Sequence, residues 1–237
     1  MKKLISYILV GLVCYFMLLL ATIPASFMNI ILAHYLDHSI QLANTRGTLW
    51  NGAGNLYGMQ DMHWKISAPE LLAGRVHIWV TRNDSATPMQ LLLSSTRIEF
   101  RHVVLTVPAA VLAHFARPLK IMSPGGQLTI SSDAFSMTKL LTGSVAIIWQ
   151  NASSTLCQIN PVGAYRFLLS GRGDHLEILL DTRTGPLFLA GKGVWSAQQG
   201  MHFMGTASAG KEQLAALLNL IGKPIGNNVY SLDINTH

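Results

Sequence analysis

The chain has 237 residues, of which half are hydrophobic and only 12% are charged, and its formal net charge is +6. This composition excludes an intrinsically disordered protein, and the length suffices for one large domain or two small ones. The arginines are spread along the chain, with no basic run interleaved with aromatic residues. Nucleic acid is therefore not expected as a partner, and the basic excess better fits a surface near anionic lipid headgroups.

The first predicted element is a membrane anchor. Residues 4–23 contain no charged side chain, and a helix of that length spans about 30 Å, the thickness of a bilayer's hydrocarbon core. A cleavable signal peptide is the alternative, although its apolar region is usually shorter and Ile23 stands where cleavage needs a small residue. Residues 24–26 form a weak second cleavage site. Lys2 and Lys3 precede the stretch and Asp37 is the next charged residue, which places the N-terminus in the cytoplasm and the remaining chain across the membrane.

Beyond the anchor, the pattern changes from helix to strand. Pro24 ends or kinks the span, and apolar residues continue at helical spacing towards residue 36. From residue 40 apolar and polar residues alternate as in half-buried strands, and glycines separate the short pieces. We therefore divide the chain into a cytoplasmic tip and anchor at 1–26, a juxtamembrane connector at 27–40 and a β domain at 41–237.

The β domain is predicted to contain many short strands and two short helices. The helices are expected at 108–115 and 211–221, and the core candidates on one strand are Ile98, Phe100 and Val104. The predicted strands lie at 62–68, 76–81, 91–93, 97–107, 127–131, 134–138, 144–150, 164–170, 176–181, 187–190, 201–208 and 228–234.

The fold class is therefore mainly β, because the connections are too short for parallel crossovers and favour an antiparallel sheet. We expect this sheet to be curved, and either open or closed into a barrel or sandwich. Residues 47–53 and 143–152 each combine a glycine, a Trp and a small residue. We interpret this as an internal duplication, for which a recurring strand-and-turn pattern is the alternative.

The two cysteines lie on opposite sides of the predicted membrane boundary. Cys14 falls in the span and Cys157 in the β domain, so no intrachain disulfide is expected. Cys157 is then either a buried small apolar residue or a lone exposed thiol.

No catalytic or metal-binding pattern occurs in the sequence. There is no HExxH, CxxC or GxSxG, and strand spacing divides the acidic residues around His175 between two faces. His63 and His77 lie among apolar residues on predicted strands, where a structural histidine is far commoner than a metal ligand. The sequence thus indicates neither an enzyme nor a cofactor.

Several motifs follow one another in a characteristic order. They are GTLWNGAGNL at 47–56, a strand carrying Trp64, a leucine-rich turn from Pro69 to Gly74, and a strand that ends in Trp149. Residues 161–165, 185–191 and 214–232 continue the series. Behind a single N-terminal span, this order resembles the type II secretion system protein N family over nearly the whole chain.

The resemblance implies a periplasmic β domain on a single-pass inner-membrane anchor. The implied function is that of an accessory structural or interaction subunit in the export of folded proteins, with other secretion subunits as partners and no cofactor. Trp64 and Trp79 are the candidate interaction surface. The family motif residues, with an implied structural role, are Gly47, Trp50, Gly52, Trp64, Pro69, Gly74 and Trp149.

An alternative function is a periplasmic lipid-contacting β-groove, similar to the AsmA-like inner-membrane proteins, with acyl chains as partners. The two functions differ in one physical property. A docking domain would bury its apolar residues in a closed core, whereas a lipid groove would leave a continuous apolar channel open.

Overall fold

The structure is a computed structural model of the chain. It describes residues 2–30, 42–56, 59–82, 87–114, 122–157, 159–210, 214, 218–219, 222–226 and 228–236. Within these residues, no helix combines the length and the apolar character that crossing a membrane requires.

The chain divides into two compact units, Met1–Pro88 and Met89–His237. The first unit joins a long helix, α1 at Lys2–Ala21, to a four-stranded antiparallel sheet in which each strand pairs with the next. A short helix, α2 at Ala68–Leu72, precedes the last strand. The strands are β1 at Leu42–Gly47, β2 at Asn51–Leu56, β3 at Met59–Ile66 and β4 at Arg75–Arg82.

The second unit is a ten-stranded antiparallel sheet, counted over the residues that the structure describes. Its strand order is β5-β6-β7-β8-β9-β10-β11-β12-β14-β13, and within the unit β5 and β13 end the order without pairing with each other. A 3₁₀ helix at Ala109–His114 follows β6. The strands are β5 at Met89–Ser94, β6 at Arg97–Pro108, β7 at Gly125–Met137, β8 at Leu141–Ser153, β9 at Gly163–Gly173, β10 at Leu176–Thr184, β11 at Leu187–Ser196, β12 at Gly200–Ala209, β13 at Lys223–Gly226 and β14 at Val229–Thr236.

Each unit has its own core. In the first, Ala25, Leu42 and Trp64 are buried together, and Met28 packs against them. In the second, the alternating residues of β9 to β12 and β14 place apolar side chains on one face. Leu214 and Leu218 are fully buried against that face, in the same cluster as Tyr165 and Phe203.

The predicted fold class is confirmed as mainly β, antiparallel and poor in helix. The strands predicted at 127–131 and 134–138 are one strand, β7, with a register shift against β8 between them. The helix predicted at 108–115 is present as the 3₁₀ helix. Most of the helix predicted at 211–221 falls outside the described residues, as does the connector from residue 31 onwards.

The predicted core of β6 is wrong at two of three positions. Ile98 is 38% exposed and Val104 is 50% exposed, whereas Phe100 is half-buried. Glu99, between Ile98 and Phe100, is only 6% exposed. The backbone at His102 has a φ of +51°, a left-handed conformation that interrupts regular strand alternation. The face that looks inward therefore changes along the strand, and one alternating pattern cannot describe it.

The two segments compared for internal duplication lie in different settings. Trp50 is in the turn between β1 and β2, whereas Trp149 is inside strand β8. For Cys157 the structure supports the buried alternative, and Cys14 on α1 is exposed. The boundaries predicted at residues 26 and 40 concern position relative to a membrane, and they stay predictions.

Candidate functional site

The turn between β1 and β2 holds the chain as it leaves α1. The backbone N–H of Leu49 donates to the carbonyl of Ile23 at 2.8 Å, and the N–H of Ala25 donates to the carbonyl of Gly47 at 3.1 Å. Pro24 and Thr48 form an antiparallel bridge between these contacts. We call residues 47–51 the helix-holding turn, because its backbone pairs with the segment that follows the helix.

Trp50 connects this turn to the helix itself. Its indole Nε1 donates a hydrogen bond of 2.6 Å to the carbonyl of Leu20. Leu20 belongs to the last turn of α1, and its carbonyl also accepts a longer bond of 3.5 Å from the N–H of Ile23. The carbonyl of Trp50 accepts from the N–H of Ile66 at 2.7 Å. One residue therefore links the end of α1 to the end of β3.

The motif glycines and Trp64 give the turn its shape. Gly47 has a φ of +84°, and a Cβ there would lie 2.6 Å from the carbonyl oxygen of Asn51, so a side chain would be strained and crowded. A Cβ on Gly52 would lie 2.4 Å from Cζ2 of Trp64. Trp64 is 5% exposed, and its Nε1 donates to the carbonyl of Leu49 at 3.0 Å. Trp64 is thus a core residue that supports the turn and offers no surface to a partner.

Asn29 provides a second attachment that sequence reasoning missed. Its side-chain Oδ1 accepts from the N–H of Leu42 at 2.7 Å, and its Nδ2 donates to the carbonyl of the same residue at 3.0 Å. The amide side chain thereby binds both backbone groups of the first β1 residue. An isolated asparagine carries no sequence signal for such a contact, since its partner is 13 residues away.

The remaining motif residues and Trp79 make other local contacts. Pro69 is in the first turn of α2, where proline is favoured, and Gly74 follows that helix with a φ of +71°. Trp149 donates from Nε1 to the carbonyl of Gly125 at 2.9 Å. The half-buried Trp79 stacks on His77, with ring centroids 3.7 Å apart. Within the first unit, the structure therefore brings together Gly47, Trp50, Gly52 and Trp64.

The described side chains of α1 present an apolar surface all round. The large apolar side chains from Tyr7 to Leu20 are 44% to 75% exposed. An exposed helical surface of this kind is unfavourable in water and typical of contact with lipid or another apolar partner.

An open apolar pocket of about 350 Å³ lies on the inward face of the second unit. Its volume is within the range of small-molecule sites in proteins. Every residue that lines it is apolar: Ile147, Phe167, Leu169, Ile178, Leu180, Leu189, Met201, Phe203, Leu232 and Ile234. The pocket continues the buried core, since Leu180, Phe203 and Leu232 belong to both.

Phe203 limits this pocket through two glycines on the neighbouring strand. A Cβ on Gly191 would lie 2.4 Å from Cζ of Phe203, and a Cβ on Gly193 would lie 2.8 Å from its Cδ2. The aromatic ring thus occupies the space that side chains would fill on β11. This close approach keeps the ring against the sheet, where it forms part of the pocket lining.

Several titratable groups of the second unit form ion pairs with a neighbour, and Tyr165 and Cys157 are buried. Arg166 binds Asp181 at 2.9 Å and Arg172 binds Glu177 at 3.0 Å, while Asp174 contacts the neighbouring His175 at 2.7 Å, which lowers the pKa of its carboxyl. Burial raises the pKa of the Tyr165 hydroxyl far above its ordinary value, and the adjacent Cys157 adds to the shift. Among the described residues no group of three His, Cys, Asp or Glu side chains could hold a metal ion.

A sequence profile of the family described as "Type II secretion system (T2SS), protein N" matches residues 38–233. The chain belongs to this family. No curated protein and no solved structure matches the chain significantly. The T2SS protein N match begins after α1 and ends within β14, so it includes the helix-holding turn and every described lining residue of the apolar pocket except Ile234. The chain is accordingly a component of the type II secretion system, as the sequence motifs predicted.

Proposed function

We propose that the chain is a single-pass inner-membrane subunit of the type II secretion machinery, with its N-terminus in the cytoplasm and both β units in the periplasm. Its role is structural: it holds β surfaces at the membrane for other secretion subunits, and it catalyses no reaction. The observation that carries this proposal is the attachment of an exposed apolar helix to the family's own motif. Trp50 of the motif donates to Leu20 of the helix, so the sheet of the first unit is attached to the helix.

The charges and the apolar surface of α1 support the same arrangement. Lys2 and Lys3 are the only charged residues before Asp37, and a positive N-terminal flank favours a cytoplasmic end. The proposed span starts at residue 4, and the structure describes the side chains of the part that begins at Tyr7. From there to Leu20 the exposed surface is apolar.

Topology and processing are tested together in cells. Alkaline carbonate extraction of the full chain, protease protection in spheroplasts and the intact mass of the mature protein are the measurements. We expect an integral protein of full mass whose C-terminal tag is digested from the periplasmic side. A shortened, extractable protein would overturn the anchor, and a C-terminus protected by the inner membrane would overturn the orientation.

The structural role is tested by site-specific photo-crosslinking. A photo-reactive residue replaces Trp79, which is half-buried on β4, or Phe188, which is 53% exposed on β11. The matched control is the buried Trp64. We expect adducts to other secretion subunits from Phe188 or Trp79 and none from Trp64, and an absence of protein adducts at both test positions would contradict the proposal.

The apolar pocket favours a second candidate function, in which the β structure contacts lipid acyl chains. The described residues that line the pocket offer no hydrogen-bonding side chain to a polar ligand, whereas a hydrocarbon chain needs only apolar contact. An open apolar lining of this kind supports the lipid-groove alternative over a closed docking core.

A photo-reactive fatty acid distinguishes the two candidates. Labelling of the purified full chain is compared between Ile178→Phe, which fills the pocket, and Leu179→Phe, which alters the next residue on the opposite face of β10. If the pocket holds acyl chains, Ile178→Phe alone reduces labelling. Equal labelling of both variants would rule out this site.

A further inference from the structure

The first unit carries an excess of basic residues near the end of its sheet that holds α1. Between Leu42 and Arg82 the sequence contains four lysines or arginines and two acidic residues. Three of the basic residues, Arg46, Lys65 and Arg75, are exposed. Their distribution over the sheet is uneven, and the strand register explains why.

The register places these three residues on one face. Arg46 pairs with Ala53, which pairs with His63, and Lys65 pairs with Trp79. Arg75, His77 and Trp79 alternate along β4 and therefore share that face with Lys65. The opposite face holds Trp64 and the buried core. We call this surface the basic face, defined by Arg46, Lys65 and Arg75.

One acidic residue of the unit lies against the basic face, but it does not pair with the three cations that define the face. Glu70 contacts His77 at 3.3 Å, and Asp61 lies towards the other end of β3, where the neighbouring Met62 pairs with Arg82. Among the described residues, Arg46, Lys65 and Arg75 form no ion pair. The face is thus open to an anionic partner in solution or on a surface.

The basic face lies close to the point where the chain leaves α1. Lys65 pairs with Asn51, the residue after Trp50, and Ile66 donates to the carbonyl of Trp50. Trp50 in turn binds Leu20 at the end of the helix. A helix that spans a bilayer ends at the headgroup layer, where tryptophan is enriched and where basic side chains meet lipid phosphates.

We propose that the basic face binds anionic phospholipid headgroups on the membrane surface into which α1 inserts, and so orients the first unit on that surface. The inference rests on the proposed anchor, because only an inserted α1 brings the face to the headgroups. Each cation close to an anionic surface strengthens the attraction about fivefold. Salt weakens it, since the Debye length falls to about 8 Å at physiological ionic strength.

Energy transfer from the basic face to the bilayer tests this proposal on the full chain in vesicles. A fluorophore is attached at His63→Cys, which is exposed on the same face, in a Cys14→Ser background, and the acceptor is a headgroup-labelled lipid. Vesicles of phosphatidylcholine alone are compared with vesicles that also contain phosphatidylglycerol. We expect transfer to rise with phosphatidylglycerol and to fall again when salt is added.

Two variants of equal charge change provide the comparison. The triple variant Arg46→Gln, Lys65→Gln, Arg75→Gln should lose the rise, whereas Lys139→Gln, Arg183→Gln, Lys192→Gln, at exposed positions of the second unit, should keep it. The proposal would be overturned if energy transfer in the parent chain changed with neither lipid charge nor salt. It would also be overturned if the first variant still showed the rise in transfer with phosphatidylglycerol. Flotation of the chain with the vesicles after carbonate treatment is measured in parallel, so that failure of the anchor is recognised separately.

Discussion

The indole Nε1 of Trp50 lies 2.6 Å from the carbonyl oxygen of Leu20, thirty residues earlier in the chain. This contact satisfies a carbonyl in the last turn of α1 and at the same time fixes the position of the helix-holding turn. The two neighbouring backbone contacts, from Leu49 to Ile23 and from Ala25 to Gly47, depend on that position. The described contacts of Trp50 and its neighbours in the motif therefore attach the helix to the first sheet.

Removing this hydrogen bond should loosen the attachment locally. Trp50→Phe keeps an aromatic ring but loses the N–H donor, and a neutral hydrogen bond contributes about 1 kcal/mol. We expect amide exchange at Ala25 and Leu49 to become about fivefold faster, because their hydrogen bonds open more often. Hydrogen exchange followed by mass spectrometry measures the exchange rates of the segments that contain these two amides. Trp195→Phe, in the second unit, is the matched control, and unchanged exchange in Trp50→Phe would show that the contact is not needed.

Glu99 should matter more for stability than other ion-paired carboxylates of the sheet. It is 6% exposed and binds Arg97 and Arg101, each at 2.6 Å. Glu99→Gln is expected to lower the free energy of unfolding by about 1.5–3 kcal/mol, as for hydrogen bonds to charged groups. The control Asp181→Asn removes a more exposed pair with Arg166 and should cost about 1 kcal/mol or less. Chemical unfolding of both variants tests the order, and equal effects would contradict it.

Periodicity predicted most strands of the sheet because their residues alternate regularly between a buried and an exposed face. It failed on β6, where the left-handed backbone at His102 changes which residues face inward. A histidine gives no sequence signal for a left-handed backbone conformation, and Ile98 and Val104 are apolar whether or not they are buried. The burial of Glu99 depends on two arginines that reach it from the same strand, and no pattern of apolar residues contains that information.

The helix-holding turn was recognisable from the motif, but its purpose was not. The sequence placed Gly47, Trp50 and Gly52 together as family residues, and it placed Trp64 and Trp79 on a surface. Burial of Trp64 follows from the absence of a side chain at Gly52, against which its ring packs. Such a contact between two strands becomes visible only when their register is known. The apolar pocket likewise arises from residues on six strands, which no local pattern connects.

Because the Phe203 ring packs against two glycines, the free energy of unfolding should depend strongly on side-chain size at those glycine positions. Gly191→Ala places a Cβ 2.4 Å from the Phe203 ring, so the ring has to move, and overpacking of this kind costs about 1–3 kcal/mol. Gly226→Ala, where nothing lies within 4 Å, should be tolerated. Adding Phe203→Leu to Gly191→Ala should cost less than the sum of the two single changes. Strict additivity in chemical unfolding would contradict the packing that the structure shows.

Tyr165 should make the protein less stable at alkaline pH. Its hydroxyl is buried and donates to the carbonyls of Leu187, at 3.1 Å, and Val162, at 3.3 Å, and burial raises its pKa above the ordinary value. The unfolded chain therefore releases this proton at a lower pH than the folded chain. The stabilisation is complete below about pH 10, the ordinary tyrosine pKa, and is lost as the pH rises above it.

Tyr165→Phe separates this effect from the rest of the alkaline titration. At neutral pH the variant should be less stable by about 1 kcal/mol, because the hydroxyl's hydrogen bonds are lost. Above about pH 10 the parent chain should lose stability more steeply than the variant, so that the difference shrinks or reverses. Urea unfolding at a series of pH values measures both curves. Parallel curves of unfolding free energy against pH for the two proteins would mean that Tyr165 ionises equally readily in the folded and unfolded chains. Its burial would then not destabilise the protein at alkaline pH.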